Sequence, residues 1–365
     1  MNVRDSEVVC GLLKNSGYRI IYEPDKADVV IFNTCSVRQH AEDKVWSEIG
    51  RFKKGQSLSG RVPFIGLIGC MAKNYQDKVF ERAPDVDFVV GPSDIDKIPN
   101  IIDRLIRDKN NPLLEIKIWE TDGEARPEEI YHTGFYEDKE HSYVVISEGC
   151  SNYCSYCVVP YVRGNLRHRN YKDILREIEE AVDKGITKIT LLGQNVNSYQ
   201  FEDIDFAKLV ETVNKIKGIQ EFSFVTSHPK DTSGDLFRAM ADSDKLKKHL
   251  HLPVQSGSDK ILRLMNRGYT RKFYFDLIEL YRKIVRDGAV TTDIIVGFPT
   301  ETDEDFQDTF NLVKDICFNA AYIFKYSSRP NAEAARIFDD VEKKEKERRH
   351  KIILDLQKEI SKKIK

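Results

Sequence analysis

Twice along its length this chain alternates short apolar runs with amphipathic stretches, and that alternation restricts it to parallel sheets covered by helices. In the first hundred residues Asp28–Phe32, Phe64–Ile68 and Asp87–Val90 read as buried strands, with helical stretches at Ala41–Phe52 and Tyr75–Arg82. The chain opens directly on a helix, with Asp5 or Ser6 as N-cap and Val8, Val9, Leu12 and Leu13 on one face. The strand that should precede this helix in a strand-then-helix unit is missing. From Lys109 to His141 the periodicity lapses into Asn-Asn-Pro, Thr-Asp-Gly and Arg-Pro-Glu-Glu, which reads as a linker.

A longer alternation follows, with strand candidates Tyr143–Ser147, Lys188–Leu192, Phe222–Thr226, His249–Val254, Thr292–Val296 and Ala321–Lys325. Helical stretches such as Tyr171–Lys184, Phe206–Lys217 and Lys272–Arg286 lie between them. Six such units fall short of the eight of a closed barrel, so an open, partial parallel barrel is expected. The organisation is thus α/β throughout: an N-terminal parallel α/β domain over 1–108, a linker over 109–141, a partial barrel over 142–340 and a basic helix over 341–365. In that last segment ten Lys or Arg face five Asp or Glu, and Ile353, Leu356, Ile360 and Ile364 share a face. A surface helix packing one apolar stripe and an RNA-contacting helix both fit.

Composition bounds the function. The chain's 57 basic and 59 acidic residues give a net charge of −2, which excludes the uniform positive field of a nucleic-acid coat protein. The longest weakly polar stretch, Val62–Ala72, is too short to cross a bilayer. The acidic N-terminus lacks the apolar core of an export signal, so a cytoplasmic protein is expected.

The seven cysteines are an odd set for a reduced chain, and they favour metal or catalysis over a disulfide framework. Cys150, Cys154 and Cys157 form a C-x3-C-x2-C run just after the first barrel strand. A zinc knuckle would need a fourth ligand, and His168 is the nearest. A 4Fe-4S cluster on three thiolates would instead keep one iron open to a small molecule. Cys35 and Cys70 each follow a strand of the first domain, so both leave the same sheet edge. They are either a ligand pair or chance core thiols. Cys10 and Cys317 read as small buried hydrophobes.

The run Gly149–Gly164 with its three cysteines resembles the radical S-adenosylmethionine superfamily. Further blocks narrow the likeness to its methylthiotransferases, of the MiaB type that modifies tRNA. They are Asn33–Arg38, Leu191–Tyr199, Thr226–Lys230, His249–Asp259, Met265–Arg271 and Thr292–Pro299.

The resemblance implies two 4Fe-4S clusters and S-adenosylmethionine. Cys150, Cys154 and Cys157 would hold the radical cluster, and Cys35 and Cys70 would be ligands of an auxiliary cluster. Tyr156 would lie near the adenine of S-adenosylmethionine, Gln194 and Asn195 at its amino group, Ser227 and Gln255 at its ribose, and Arg267 at its carboxylate. Ordinary loop capping is the competing role for these polar residues.

The implied reaction methylates sulfur on the auxiliary cluster and cleaves a second S-adenosylmethionine to a 5′-deoxyadenosyl radical. That radical abstracts hydrogen from C2 of an N6-isopentenylated adenine next to the tRNA anticodon, and the methylthio group joins C2. C2 resists polar substitution, so cofactors carry the chemistry and the protein supplies position. Arg163, Arg167, His168 and Arg169 would meet the phosphates of an anticodon stem-loop, or form a solvated loop. The expected partners also include an electron donor such as flavodoxin or ferredoxin and a sulfur source, and the expected state is a monomer.

The sequence departs from the family pattern in three places. The family's first auxiliary cysteine would fall just before Met1-Asn2, and its C-terminal TRAM domain is not encoded, which puts full activity in doubt. Position 300 is Thr where the family usually has Gly, a change expected to be tolerated on a surface turn. Methylthiolation of threonylcarbamoyl-adenosine and a non-enzymatic metal-binding RNA protein are the competing functions.

Overall fold

In a computed structural model the structure describes residues 1–36, 39–59, 63–108 and 117–364. Val37 and Arg38 of the first motif, residues 60–62, residues 109–116 of the expected linker and Lys365 lie outside them. The chain divides into two compact units: Met1–Lys139 with Val158–Gly164, and Glu140–Cys157 with Asn165–Lys365.

The first unit is built on a four-stranded parallel sheet in the order β1 (Val29–Thr34), β2 (Phe64–Gly69), β3 (Phe88–Val90) and β4 (Ile118–Glu120). It carries α1 (Asn2–Asn15), α2 (Gln39–Ser59), α3 (Cys70–Tyr75), α4 (Lys78–Arg82), α5 (Ile98–Asp108) and α6 (Val159–Arg163). Ile65, Leu67, Met71, Val79, Val86 and Val89 close one core against Phe32, Trp46 and Tyr75.

Two expectations change here. The segment 109–141 is more than a linker, because β4 adds a fourth strand to the sheet and Ile130 and Tyr131 are buried. Helix α1 starts at Asn2 with Met1 as its cap residue, so Asp5 and Ser6 stand inside the helix and cap nothing.

The second unit holds β5 (His141–Val145), β6 (Ser147–Glu148), β7 (Arg167–His168), β8 (Lys188–Leu192), β9 (Gln200–Phe201), β10 (Ile204–Asp205), β11 (Glu221–Phe224), β12 (His249–His251), β13 (Ala289–Val296) and β14 (Ala320–Lys325). Strands β5, β8 and β11 pair in parallel, as do β12, β13 and β14, and a parallel bridge from Phe222 to Leu246 joins the two sets. The result is six parallel strands in chain order, the expected partial barrel. The pairs β6–β7 and β9–β10 are antiparallel.

Helices α7 (Tyr171–Asp183), α8 (Phe206–Asn214), α9 (Gly234–Asp242), α10 (Asp259–Leu264), α11 (Arg271–Ile284) and α12 (Asp303–Ile316) connect the strands. Most begin on a side-chain cap that satisfies the helix's orphan N–H groups, for example Asn170, Asp205, Ser233, Thr270 and Thr302. Cys317 is exposed and ends α12 in the left-handed region, against the expectation of a buried thiol, whereas Cys10 is half-buried.

The terminal helix α13 (Lys343–Ile364) packs on β14, with Ile353 and Ile360 buried and Ile364 exposed. Arg349, also buried, donates to Glu301 and Glu345, and Lys346 pairs with Asp339. These ion pairs favour the surface-helix reading over the RNA-contact one. At Gly297 (φ +69°), just beyond β13, an added Cβ would lie 2.3 Å from Cγ of Lys346, so only glycine lets α13 pack there. Among the described residues no helix is long and apolar enough to cross a membrane.

Candidate functional site

In the second unit the residues that follow the strands gather at one end of the barrel, where ligand chemistry in such folds collects. Cys150, Cys154 and Cys157 occupy the loop beyond β6, all as free thiols. Asn266 holds this loop by donating to the carbonyls of Asn152 and Tyr153 at 3.2 and 3.0 Å. Ser155 N–H donates to Met265 O at 3.0 Å, and its Oγ donates to Leu264 O at 2.8 Å. Tyr153 accepts a left-handed φ of 47° so that the loop can turn.

Around the loop stand polar side chains that the protein itself leaves unsatisfied. Gln194 Oε1, Asn195 Oδ1, Ser227 Oγ and Gln255 Oε1 are buried without a hydrogen-bond partner. A buried polar atom left unpaired costs about 1–3 kcal/mol, and a polar ligand beyond the ends of β8, β11 and β12 would satisfy these four. Thr226 and Gln255 both hold φ at 71°, and backbone strain of this kind clusters at binding sites.

Arg267 stands differently from expectation. Its Nη2 donates to Pro253 O at 2.6 Å and its Nε to Tyr269 OH at 3.0 Å, while Nη1 lies 3.3 Å from both Cys154 Sγ and Tyr156 OH. The guanidinium is thus tied mostly to the protein and faces the thiol rather than an open carboxylate subsite. Tyr156 packs beside Ile261, Met265 and Phe298.

Two residues that carried no role in the sequence complete the surroundings. Asp231 accepts from Asn195 Nδ2 at 2.6 Å and from Asn152 Nδ2 at 3.4 Å, tying the β8 turn to the cysteine loop. His228 places Nε2 3.9 Å from Cys154 Sγ. Its presence in the block Thr226–Lys230 was the only sequence signal.

Among the described residues no three His, Cys, Asp or Glu side chains already converge as a metal-binding set. The fit of a 4Fe-4S cluster and S-adenosylmethionine therefore rests on the donor chemistry and the orphaned atoms. Three soft thiols suit iron–sulfur chemistry. The unpaired amide and hydroxyl atoms suit the ammonium and ribose of the cosubstrate. The residues fit.

In the first unit Thr34 pairs with Gly69, so Cys35 and Cys70 leave adjacent strands at the same level. Gly69 (φ +90°) is required there, because a Cβ would fall 2.6 Å from Thr34 O. The start of α1 meets this edge, with Asn2 Nδ2 donating to Thr34 O at 2.9 Å and Asn33 Nδ2 to Asn2 O at 2.8 Å.

The four proposed RNA contacts separate. Arg163 is 5% exposed and donates to Asp5, and Arg169 is 5% exposed and pairs with Asp173 and Glu177. Neither can meet a phosphate without breaking a buried ion pair, so the RNA-contact reading fails for both. His168 packs edge-on against Tyr199, and burial lowers its pKa, which disfavours the cationic form a phosphate contact needs. Of the three arginines, Arg167 alone keeps a partly open side chain, 3.5 Å from Glu148.

Residues 144–313 match the Radical SAM superfamily, and residues 1–91 match the family described as Uncharacterized protein family UPF0004. The tRNA-2-methylthio-N(6)-dimethylallyladenosine synthase of Thermoanaerobacter sp. (strain X514) is 43% identical over 99% of this chain and 76% of its own length. That of Carboxydothermus hydrogenoformans is 42% identical over 99% of this chain and 82% of its own. The chain belongs to the tRNA-2-methylthio-N(6)-dimethylallyladenosine synthases. Among solved structures, the radical S-adenosylmethionine methyltransferase TsrM from Kitasatospora setae matches at a TM-score of 0.57 and 12% identity, covering 88% of this chain and 65% of its own. The cobalamin-dependent radical enzyme OxsB matches at 0.54 and 10% identity, covering 98% and 50%. At such identities these two support the fold alone.

Proposed function

We infer that this synthase places a methylthio group on C2 of N6-isopentenylated adenine beside the tRNA anticodon, as a radical S-adenosylmethionine methylthiotransferase. The observation that carries the reading, beyond family membership, is the set of four orphaned buried polar atoms beyond β8, β11 and β12, in the same unit as the three-thiol loop. When bound, the 4Fe-4S cluster supplies the electron that cleaves the sulfonium of S-adenosylmethionine.

The chain's own residues do the positioning. Cys150, Cys154 and Cys157 hold the radical cluster. Gln194, Asn195, Ser227 and Gln255 orient S-adenosylmethionine, each gaining the hydrogen bond it lacks alone. Tyr156 and the apolar Ile294-Ile295-Val296 strand border its adenine. Cys35 and Cys70 serve the auxiliary cluster in the first unit, which acts as the sulfur-handling domain. Arg167 meets the phosphates of an anticodon stem-loop, whose bases can be splayed out to reach a cofactor. A small electron carrier such as flavodoxin or ferredoxin, a sulfur source, a monomeric state and a cytoplasmic location complete the reading.

The test is mass spectrometry of digested tRNA from a strain lacking the gene. Loss of 2-methylthio-N6-isopentenyladenosine, with the isopentenyl precursor accumulating, is expected. An unchanged level of that nucleoside, or loss of a methylthio threonylcarbamoyl nucleoside instead, would overturn the reading.

A further inference from the structure

We propose that His228 tunes the reduction potential of the radical cluster by donating an N–H···S hydrogen bond to the thiolate of Cys154. The inference rests on the assignment of Cys154 as a cluster ligand and goes beyond it.

Geometry defines the donor. His228 Nδ1 accepts the backbone N–H of Lys230 at 3.2 Å, which assigns the ring proton to Nε2. That nitrogen lies 3.9 Å from Cys154 Sγ, within the longer reach of hydrogen bonds to sulfur. The ring has little freedom to turn away. Asn197 grips the residue's backbone on both sides, with Nδ2 donating to His228 O and Oδ1 accepting His228 N–H, both at 2.9 Å. Tyr269 packs edge-on at 5.8 Å between ring centroids. His228 and Cys154 are both buried, so water does not compete for the sulfur. Arg267 Nη1 approaches the same sulfur at 3.3 Å, and two donors therefore converge on one of three thiols.

Reduction adds one electron from an external one-electron reductant, and part of the added charge falls on the ligand sulfurs. A donor aimed at a sulfur stabilises the reduced form more than the oxidised one and raises the potential. His228 thus acts through Cys154 as a positioning residue. No bond is made or broken at the ring, and its proton stays on Nε2.

The test uses the full chain carrying Cys35→Ala and Cys70→Ala, so that only the 150–157 loop can bind a cluster. After anaerobic reconstitution with iron and sulfide, an EPR-monitored redox titration reads the reduced fraction. His228→Leu, which removes the donor, is expected to lower the reduced-to-oxidised ratio at fixed potential on the order of tenfold, equivalent to about 59 mV for one electron. His228→Gln, which restores an N–H, should recover most of it. An unshifted potential in His228→Leu with full iron content would overturn the proposal. Failure of the parent to bind four irons would instead overturn the assignment of the thiol loop.

If His228→Leu does not fold, hyperfine spectroscopy of 15N-histidine protein that retains His228 decides. A histidine nitrogen coupled to the reduced cluster, and lost in His228→Gln, supports the proposal. Absence of any coupling overturns it.

Discussion

Asp5 Oδ2 accepts a hydrogen bond from Arg163 Nη2 at 2.6 Å, inside the first unit, while Oδ1 of the same carboxylate accepts from Arg126 Nη1 at 2.7 Å. The three side chains are nearly sealed from solvent. One carboxylate therefore ties α1 and the 126 loop to α6, the short helix that follows the thiol loop in the chain.

Asp5→Asn is expected to destabilise the protein by about 3–5 kcal/mol, because it leaves two buried guanidinium groups without their shared anion. Denaturant unfolding monitored by the fluorescence of Trp46 and Trp119, both first-unit residues, measures it. Burial alone would raise the Asp5 pKa, but Arg126 and Arg163 overcome it and hold the carboxyl well below the usual range. A depressed acid contributes stability that is complete above its unfolded value near 3.8 and is lost as pH falls toward the folded value. The gap between wild type and Asp5→Asn should be constant from pH 7 to about pH 5 and narrow below about pH 4.

Ser227→Ala removes an unpaired buried hydroxyl, so binding and stability should respond in opposite directions. Loss of a hydrogen bond of about 1.4 kcal/mol to S-adenosylmethionine would weaken its binding about tenfold by equilibrium titration. The thermal midpoint without ligand should hold or rise, since an unsatisfied polar atom has been removed from the interior. A fall in both would show that Ser227 is structural.

Thr300 holds φ at 69°, a conformation that costs a β-branched side chain about 1–2 kcal/mol. Thr300 is therefore accommodated at the expense of strain. Thr300→Gly, offset by the chain entropy of glycine, is expected to stabilise the protein by up to about 1 kcal/mol, read as an increased denaturation midpoint.

Arg167→Ala and Arg169→Ala should part company. The first removes a half-open cation and should weaken tRNA binding several-fold, with a shallower salt dependence and unchanged folding. The second breaks the buried pairing with Glu177 (Arg169 Nη1 to Oε2, 2.5 Å) and should lower stability by about 3–5 kcal/mol. Filter binding over a salt series and thermal unfolding separate the two.

The predicted N-terminal strands and the six barrel strands were legible because parallel strands leave apolar runs and the intervening helices leave amphipathic ones, although the edge strands β1 and β14 are only half-buried, against the expectation of a buried strand at Asp28–Phe32. Strand β4 leaves little sequence signal because it has only three residues, Ile118–Glu120, includes an exposed Trp119 and lies between the Asn-Asn-Pro and Thr-Asp-Gly breaks. Asp5 carries the local signature of an N-cap because its partners, Arg126 and Arg163, lie far away in sequence. The basic run Arg163–Arg169 looked like an RNA patch for the same reason, since Asp5 lies 158 residues from Arg163 in sequence.

Residue type and spacing by themselves determined the α/β class, the three-thiol loop and the family blocks, because thiolate chemistry and strand periodicity are local properties of the chain. Tertiary structure alone decided which charges are free and which sulfur has donors aimed at it. Arg163 and Arg169 are consumed by buried carboxylates, while His228, brought 74 residues along the chain to Cys154, presents the Nε2 proton. Ion pairing, burial and tautomer depend on neighbours distant in sequence, and only the folded chain brings them together.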